Sequence, residues 1–193
     1  LVQDYSLDGL RYYLLSCTVG GQDVDFNAEQ LKLAVNTGLA NSVGNLIGRC
    51  AALLVKGFPE GVRRPHTVLK FAGDLIELRD RAYDEVDKFF QAGEASRACR
   101  RVLEFATELN IAFQSQEPWR LEAAEQAACL WCFHGFLVDL TALLSIFVPD
   151  LSGRARRVLC VDEIRPSLND RFSLGSDVRR QAIATEPLFK RLV

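Results

Sequence analysis

Residues 27–56 of the chain read NAEQLKLAVNTGLANSVGNLIGRCAALLVK, and this segment predicts one long amphipathic helix. Apolar side chains recur every three or four positions, so they share one face that packs against a neighbouring helix. Asn27 suits the N-cap, with Gln30 three residues later as in a capping box. Gly57 suits the left-handed position just after a helix. The residues of the apolar face are Leu31, Val35, Leu39, Val43, Leu46, Cys50 and Leu53.

Other segments on either side show the same helical period. They are residues 6–17, with Ser6 as a cap, residues 68–90, 94–114 and 121–147, and a short helix after Ser152 that reaches about residue 159. The segment 121–147 is apolar nearly all round, which predicts the most buried helix. No segment of useful length alternates with the period of a strand. We therefore expect an all-α fold, an antiparallel helical bundle with residues 161–193 as an extended C-terminal tail.

Bulk composition limits the class of protein. The 193 residues are 49% hydrophobic and 25% charged, with a net charge of -2, which is typical of a folded domain without strong general affinity for nucleic acid. We expect no membrane-spanning segment and no signal peptide. The six cysteines favour a reducing compartment over a secreted disulfide framework. Cys129 and Cys132 form a lone C-x-x-C without a second ligand pair, so they are expected in the core and no metal site is expected.

One face of the long helix carries Asn41, Asn45 and Arg49 at successive four-residue steps. Gly44 and Gly48 lie beside them, although each glycine costs about 1 kcal/mol relative to alanine inside a helix. One interpretation is a binding face, where amide and guanidinium groups read base edges while glycine lets a ligand approach. The other is that the glycines permit close helix crossing and the asparagines bond locally. Spacing alone favours the second interpretation.

A second candidate feature is Trp119, which follows Pro118 in a predicted loop at residues 116–119. A Trp on a loop stiffened by Pro is a good platform for base stacking. The alternative is a Trp that closes the end of the bundle, and the residues alone favour this alternative. Trp131 and His134, inside the apolar helix, are expected to be core residues.

Catalysis has no visible location in the sequence. No nucleophile with a neighbouring base, metal-ligand cluster or glycine-rich phosphate loop is present, so we predict no catalytic residues. Basic groups at 63–64, 97–101 and 154–157 have acidic neighbours and are typical of solvated surfaces.

Five blocks together carry a family resemblance. They are DGLRYYLL at 8–15, DVDFN at 23–27, NTGLANSVGNLIGR at 36–49, EPWRL at 117–121 and PLFKR at 187–191. In order and spacing they resemble the part of methionyl-tRNA synthetases that follows the KMSKS loop, over essentially the whole chain. Glu117 and Lys190 depart from the residues that the family usually has at those positions.

The resemblance implies three parts and one role. Residues 1–26 would end the stem-contact region, residues 27–160 would form the anticodon-binding bundle, and residues 161–193 would pack on it as a tail. Trp119 would stack on a base of the CAU anticodon of tRNA and Pro118 would shape that wall. Asn45 and Arg49 would hydrogen-bond base edges, with Asn41 as a further anticodon-binding residue.

The resemblance also implies features of a longer parent protein. A catalytic domain upstream, with the HIGH and KMSKS motifs, would use ATP and Mg²⁺ to join methionine to tRNA. This chain alone would bind no cofactor and would not be active. The parent would work in the cytoplasm or the mitochondrial matrix, without contact with a membrane. Two alternatives stay open: the bundle of a synthetase for leucine, isoleucine, valine or cysteine, and a helical protein-interaction module that binds no RNA.

Overall fold

The structure is a computed structural model that describes residues 6–17, 25–66, 69–161, 179–184, 186–189 and 191–192. Within these ranges the protein is helical, and the one strand-like contact is a single bridge between Val62 and Arg180. The predicted all-α class is confirmed. The helices are α1 (Leu7–Cys17), α2 (Ala28–Gly57), α3 (Lys70–Gln91), α4 (Ala95–Gln116), α5 (Ala123–Leu144) and α6 (Pro149–Val158).

Helix α5 is the centre of the bundle, as its uniformly apolar sequence predicts. Phe133 is fully buried; its ring stacks on Phe71 of α3 at 5.5 Å and meets Phe113 of α4 edge-on at 5.0 Å. Trp131 is only 1% exposed, so the prediction of a core tryptophan is confirmed. These rings pack α5 against α3 and α4. A tight turn with Gly93 at φ 73° connects α3 to α4, so these two helices form a helical hairpin.

Two predicted helix caps are confirmed. The backbone N–H of Gly9 donates to Ser6 Oγ at 3.1 Å, and the backbone N–H of Gln30 donates to Asn27 Oδ1 at 3.0 Å. The helix ends at Gly57, as predicted, but the left-handed conformation predicted for this residue is wrong. Gly57 belongs to α2, and the helical ladder continues to Phe58, whose N–H donates to the carbonyl of Leu54 at 2.8 Å. Gly61, at φ 78°, takes the left-handed conformation instead.

Helix α2 contains a feature that its sequence did not predict, a π-helical segment from Val35 to Gly44. Such wider turns are rare and often occur at functional sites. Helix α6 also differs from expectation, because it begins at Pro149 rather than after Ser152. Proline suits the first turn of a helix, and the backbone N–H of Leu151 donates to the buried carboxylate of Asp8 at 2.7 Å. This capping contact comes from α1, 143 residues away, so local sequence gave no sign of it.

The described residues of the C-terminal segment lie on the bundle. Leu188 and Phe189 are buried, and Asn36 of α2 exchanges two hydrogen bonds with the backbone of Leu192, at 2.8 and 3.0 Å. Arg180 is buried with its guanidinium 4.5 Å from the ring of Trp131. Residues 162–178, the first part of the predicted tail, lie outside the described residues, as does Lys190. The proposed boundaries at 26 and 160 stay predictions.

Two helices in the described part of the chain are long and apolar enough to pass a simple test for a membrane span, Ala28–Gly57 and Ala123–Leu144. The second is 89% buried inside the bundle over its most apolar stretch, and the first is 56% buried. The core helix of a soluble protein passes the same test, so this finding is weak evidence for a membrane.

Candidate functional site

A cleft of about 1110 Å³ lies between α2 and the C-terminal segment. Asn41, Asn45 and Arg49 all line it, so the predicted polar stripe exists although its first residue lies in the π-helical segment. We call this cleft the α2–tail groove. On the opposite side it is lined by Ile183, Ala184, Glu186, Pro187, Leu188, Phe189 and Arg191.

Arg49 connects the groove with Trp119. Its guanidinium carbon lies 5.1 Å from the centre of the Trp119 ring and 5.3 Å from that of Phe113. Its Nη2 also donates a hydrogen bond to Gln114 Oε1 at 2.9 Å. Cation–π contacts and this hydrogen bond therefore hold Arg49 against the end of α4 and the turn that follows it. The structure brings together the two features that the sequence singled out separately.

The backbone around Trp119 explains its exposure. Glu117 ends α4 in a left-handed conformation, with φ 41° and ψ 54°, and residues Pro118–Arg120 form one 3-10 turn. Pro118 is buried, and its carbonyl accepts a hydrogen bond from Gln126 Nε2 at 2.7 Å. The indole is 37% exposed, so it neither closes the bundle nor stands free of it. A partly open ring beside a guanidinium can receive a flat ligand.

The negative charge that Glu117 places near this ring has a local counter-charge. Its carboxylate forms an ion pair with Arg120 Nη1 at 2.9 Å. Both side chains are well exposed, so solvent screens the pair and its effect on stability is small. The pair nevertheless offsets the charge beside Trp119.

The two predicted asparagine ligands differ in their surroundings. Asn41 Oδ1 accepts from Arg191 Nε at 3.1 Å and from Arg191 Nη2 at 2.7 Å. The exposed side chain of Asn45 has no hydrogen-bond partner among the residues that the structure describes. The second interpretation of the stripe expected each asparagine amide to bond within its own helix. Neither amide does so.

The two glycines beside the stripe serve different purposes. A Cβ atom added at Gly44 would lie 3.8 Å from the backbone nitrogen of Phe189, so this glycine faces the docked tail. A Cβ atom added at Gly48 would meet nothing within 4 Å, although Gly48 lines the groove. Neither glycine therefore permits a close helix crossing, and Gly48 leaves open space at the groove floor.

Sequence reasoning missed the residues that support the site. Phe113 and Gln114 were not singled out within the predicted helix at 94–114, and Arg191 was noted only within the block at 187–191. No spacing rule could connect Arg191 with Asn41 across 150 residues. A Gln at the end of the predicted helix at 94–114, close in sequence to Trp119, was an available signal.

The remaining candidates have structural roles. Cys129 and Cys132 are buried, and burial raises the pKa of their thiols to about 12 and about 11, respectively. No group of three potential metal-ligating side chains occurs in the described part of the chain. The ring of His134 is buried; its Nε2 lies 2.9 Å from the carbonyl of Leu159 and 3.0 Å from that of Gln181. The core assignments of these three residues are confirmed.

One predicted surface cluster is partly internal. Arg101, in the basic group at 97–101, is buried and pairs with Glu85 and with Glu108, the latter at 3.2 Å. It therefore joins α3 to α4 rather than facing solvent. Arg97 and Arg100 remain exposed, as expected for a solvated face.

Comparisons with known proteins agree with this architecture. Residues 1–51 match the family model described as tRNA synthetases class I (M). The methionine–tRNA ligase of Helicobacter pylori is 26% identical over 100% of this chain and 30% of its own length. That of Thermococcus kodakarensis is 30% identical over 96% of this chain and 25% of its own length. The chain thus spans about a quarter to a third of the relatives that it matches.

A solved structure supports the fold. The apo form of Mycobacterium tuberculosis methionyl-tRNA synthetase aligns with a TM-score of 0.86 and 22% identity, over 98% of this chain and 40% of that one. The helical bundle and the matched N-terminal residues define a part of a class I aminoacyl-tRNA synthetase. Within that class, the chain belongs to the methionyl-tRNA synthetases and corresponds to their C-terminal helical domain.

Proposed function

We propose that this chain recognises the anticodon of methionine tRNA for a longer methionyl-tRNA synthetase. The longer protein would join methionine to tRNA with ATP and Mg²⁺ in a separate catalytic domain, in the cytoplasm or the mitochondrial matrix. The observation that carries the proposal is the contact between Arg49 and Trp119 at the edge of the α2–tail groove.

The geometry suits an unstacked RNA base. Proteins that read single-stranded RNA stack bases on aromatic rings and bond their edges with amide and guanidinium groups. Arg49 lies over the Trp119 ring, and 37% of that residue remains exposed for a base. Asn45, one helical turn before Arg49 and lining the same groove, has an exposed amide that can donate and accept.

Local contacts also account for binding by a chain with a net charge of -2. Nonspecific binding needs many phosphate contacts, whereas stacking and base-edge contacts contribute about 1–3 kcal/mol each. Two or three such contacts give selectivity without a basic surface. Arg49 and Lys56 line the groove and supply local positive charge.

The test is aminoacylation of methionine tRNA by the full-length protein that contains this chain. Trp119→Ala, Asn45→Ala and Arg49→Ala are each expected to lower kcat/KM for tRNA by about tenfold to hundredfold. If all three variants stay within twofold of wild type, the site is assigned wrongly.

Two matched variants control for loss of packing. Phe90 is also 37% exposed and stacks on Phe147 at 5.6 Å, away from the groove. Arg97 lies 4.4 Å from the ring of Phe89 and reproduces the cation–π contact of Arg49 elsewhere. Phe90→Ala and Arg97→Ala are expected to leave kcat/KM for tRNA within twofold. Equal losses in these controls would show that destabilisation, not RNA contact, causes the effect.

A further inference from the structure

The contact between Arg191 and Asn41 gives the α2–tail groove a chemical preference. Arg191 Nε and Nη2 both donate to Asn41 Oδ1, at 3.1 and 2.7 Å. Both residues line the groove, and both are exposed. The contact therefore affects a group that a ligand can reach.

Because two N–H groups of Arg191 donate to the same oxygen, this contact fixes which end of the Asn41 amide faces the ligand. A guanidinium group has five N–H donors and no acceptor, so only the oxygen of Asn41 can face it. The two N–H donations use both acceptor sites of that oxygen. The Nδ2 amide N–H groups then remain available to a ligand, and no partner for them occurs among the described residues. Asn41 can thus offer a ligand hydrogen-bond donors only.

We propose that Arg191 is a positioning residue that holds Asn41 as a hydrogen-bond donor toward RNA. The inference rests on the proposed function and extends it, since an asparagine that is free to turn can bind either a donor or an acceptor. The fixed amide selects acceptors: a base carbonyl or ring nitrogen, or a phosphate oxygen. Arg49, which also has donors only, reinforces this preference farther along the groove.

Attachment of the tail is a separate matter from this orientation. Leu188 and Phe189 are buried, and Arg154 Nε donates to the carbonyl of Leu188 at 3.0 Å. Asn36 holds the backbone of Leu192 through two hydrogen bonds. The tail therefore has several attachments besides Arg191, so loss of the Arg191 contact is expected to leave it docked.

The decisive variant is Arg191→Lys in the full-length protein, with binding of methionine tRNA measured by titration. Lysine keeps the positive charge but cannot make the two-pronged contact that fixes the amide. We expect Arg191→Lys, Arg191→Ala and Asn41→Ala each to weaken tRNA binding by about fivefold to tenfold. Wild-type affinity in Arg191→Lys would overturn the proposal, because only the charge would then matter.

A double variant separates positioning from direct contact. If Arg191 acts through Asn41, adding Arg191→Ala to Asn41→Ala produces no further loss of affinity. Multiplied losses would overturn the proposal, because they would indicate an independent contact between Arg191 and RNA. Arg179→Ala, an exposed tail arginine paired with Glu60 at 3.9 Å, is the matched control and is expected to bind normally.

A further variant tests for a merely structural role. Asn36→Ala removes the two hydrogen bonds that hold the backbone of Leu192, at the end of the tail. Its affinity for tRNA is expected to stay within twofold of wild type. A loss equal to that of Arg191→Lys would overturn the proposal, because tail attachment would then explain both effects. Trp119→Ala is measured in the same series. If it weakens binding while Arg191→Lys does not, this inference alone fails; if neither does, the proposed function fails as well.

Loop sequence distinguishes the two sources of the acceptor. If Asn41 reads a base, Asn41→Ala loses discrimination at one position of the anticodon loop. If it binds a phosphate, Asn41→Ala weakens binding to every loop sequence alike. Either outcome supports a donor at this position, and no change in affinity for any loop contradicts it.

Discussion

Alanine at Gly38 and alanine at Gly73 are expected to change the stability of the bundle in opposite directions. Gly38 is buried in the π-helical segment of α2, whereas Gly73 is exposed in α3. A Cβ atom at Gly38 would collide with the hydroxyl group of Tyr12 and lie 2.7 Å from Leu103 Cδ1. A Cβ atom at Gly73 would meet nothing within 4 Å. The comparison therefore isolates packing around the π-helical segment.

The magnitudes follow from two terms. Alanine is favoured over glycine by about 1 kcal/mol inside a helix, so Gly73→Ala should raise the free energy of unfolding by that amount. Gly38→Ala gains the same term, but overpacking costs about 1–3 kcal/mol. Because the ring of Tyr12 is buried, we expect the upper end and a net loss of about 1–2 kcal/mol.

Thermal unfolding of the 193-residue chain, followed by circular dichroism, measures both variants. For a chain of this size, 1 kcal/mol changes Tm by about 2–4 °C. Gly73→Ala should therefore unfold about 3 °C higher than wild type, and Gly38→Ala about 3–6 °C lower. A Gly38→Ala protein as stable as wild type would refute the reasoning, since it would show that Tyr12 and Leu103 move aside easily.

Three further variants test other parts of the structure. Arg79→Ala should lower the free energy of unfolding, measured in urea, by about 3–5 kcal/mol. The variant removes the cation that lies 3.7 Å from the buried carboxylate of Asp139. A loss below about 1 kcal/mol would contradict this prediction. Burial, and then the charge of Arg180, lowers the pKa of folded His134 from 6.5 to about 4. Its contribution to stability is therefore complete above pH 6.5 and is lost as pH falls toward 4, and His134→Gln should flatten the pH dependence of unfolding in that window. Gly48→Ala should raise Tm, because alanine is favoured over glycine in a helix. It should also weaken binding of tRNA to the full-length protein, because the added methyl group enters the groove. Unchanged binding would show that RNA does not approach this part of the groove floor.

The fold was predictable where the periodic signal is local. Leu31, Val35 and Leu39 are fully buried, as their spacing along α2 predicts. The π-helical segment was not predictable, because it occurs where Tyr12 of α1 packs over Gly38 and the tail packs over Gly44. Those contacts join residues far apart in sequence, and no local propensity encodes them.

The candidate site was predictable only in its separate parts. Exposure of Trp119 depends on the left-handed Glu117 and on the hydrogen bond from Gln126 to the carbonyl of Pro118. Its contact with Arg49 crosses 70 positions of the chain. From the residues alone, a structural role for each feature was the better interpretation, close helix crossing for the stripe and closure of the bundle for Trp119, and the resemblance to a known family favoured the binding role. The donor-only state of Asn41 was not predictable, because it depends on a contact with Arg191 that spans 150 positions of the chain.

The most direct test of anticodon recognition compares two tRNAs in binding to the full-length protein. One is methionine tRNA with its CAU anticodon, and the other differs only by a scrambled anticodon loop. We predict that wild type prefers the first by at least about tenfold and that Trp119→Ala brings the two affinities close together. An undiminished preference in Trp119→Ala, or equal affinities in wild type, would contradict the account.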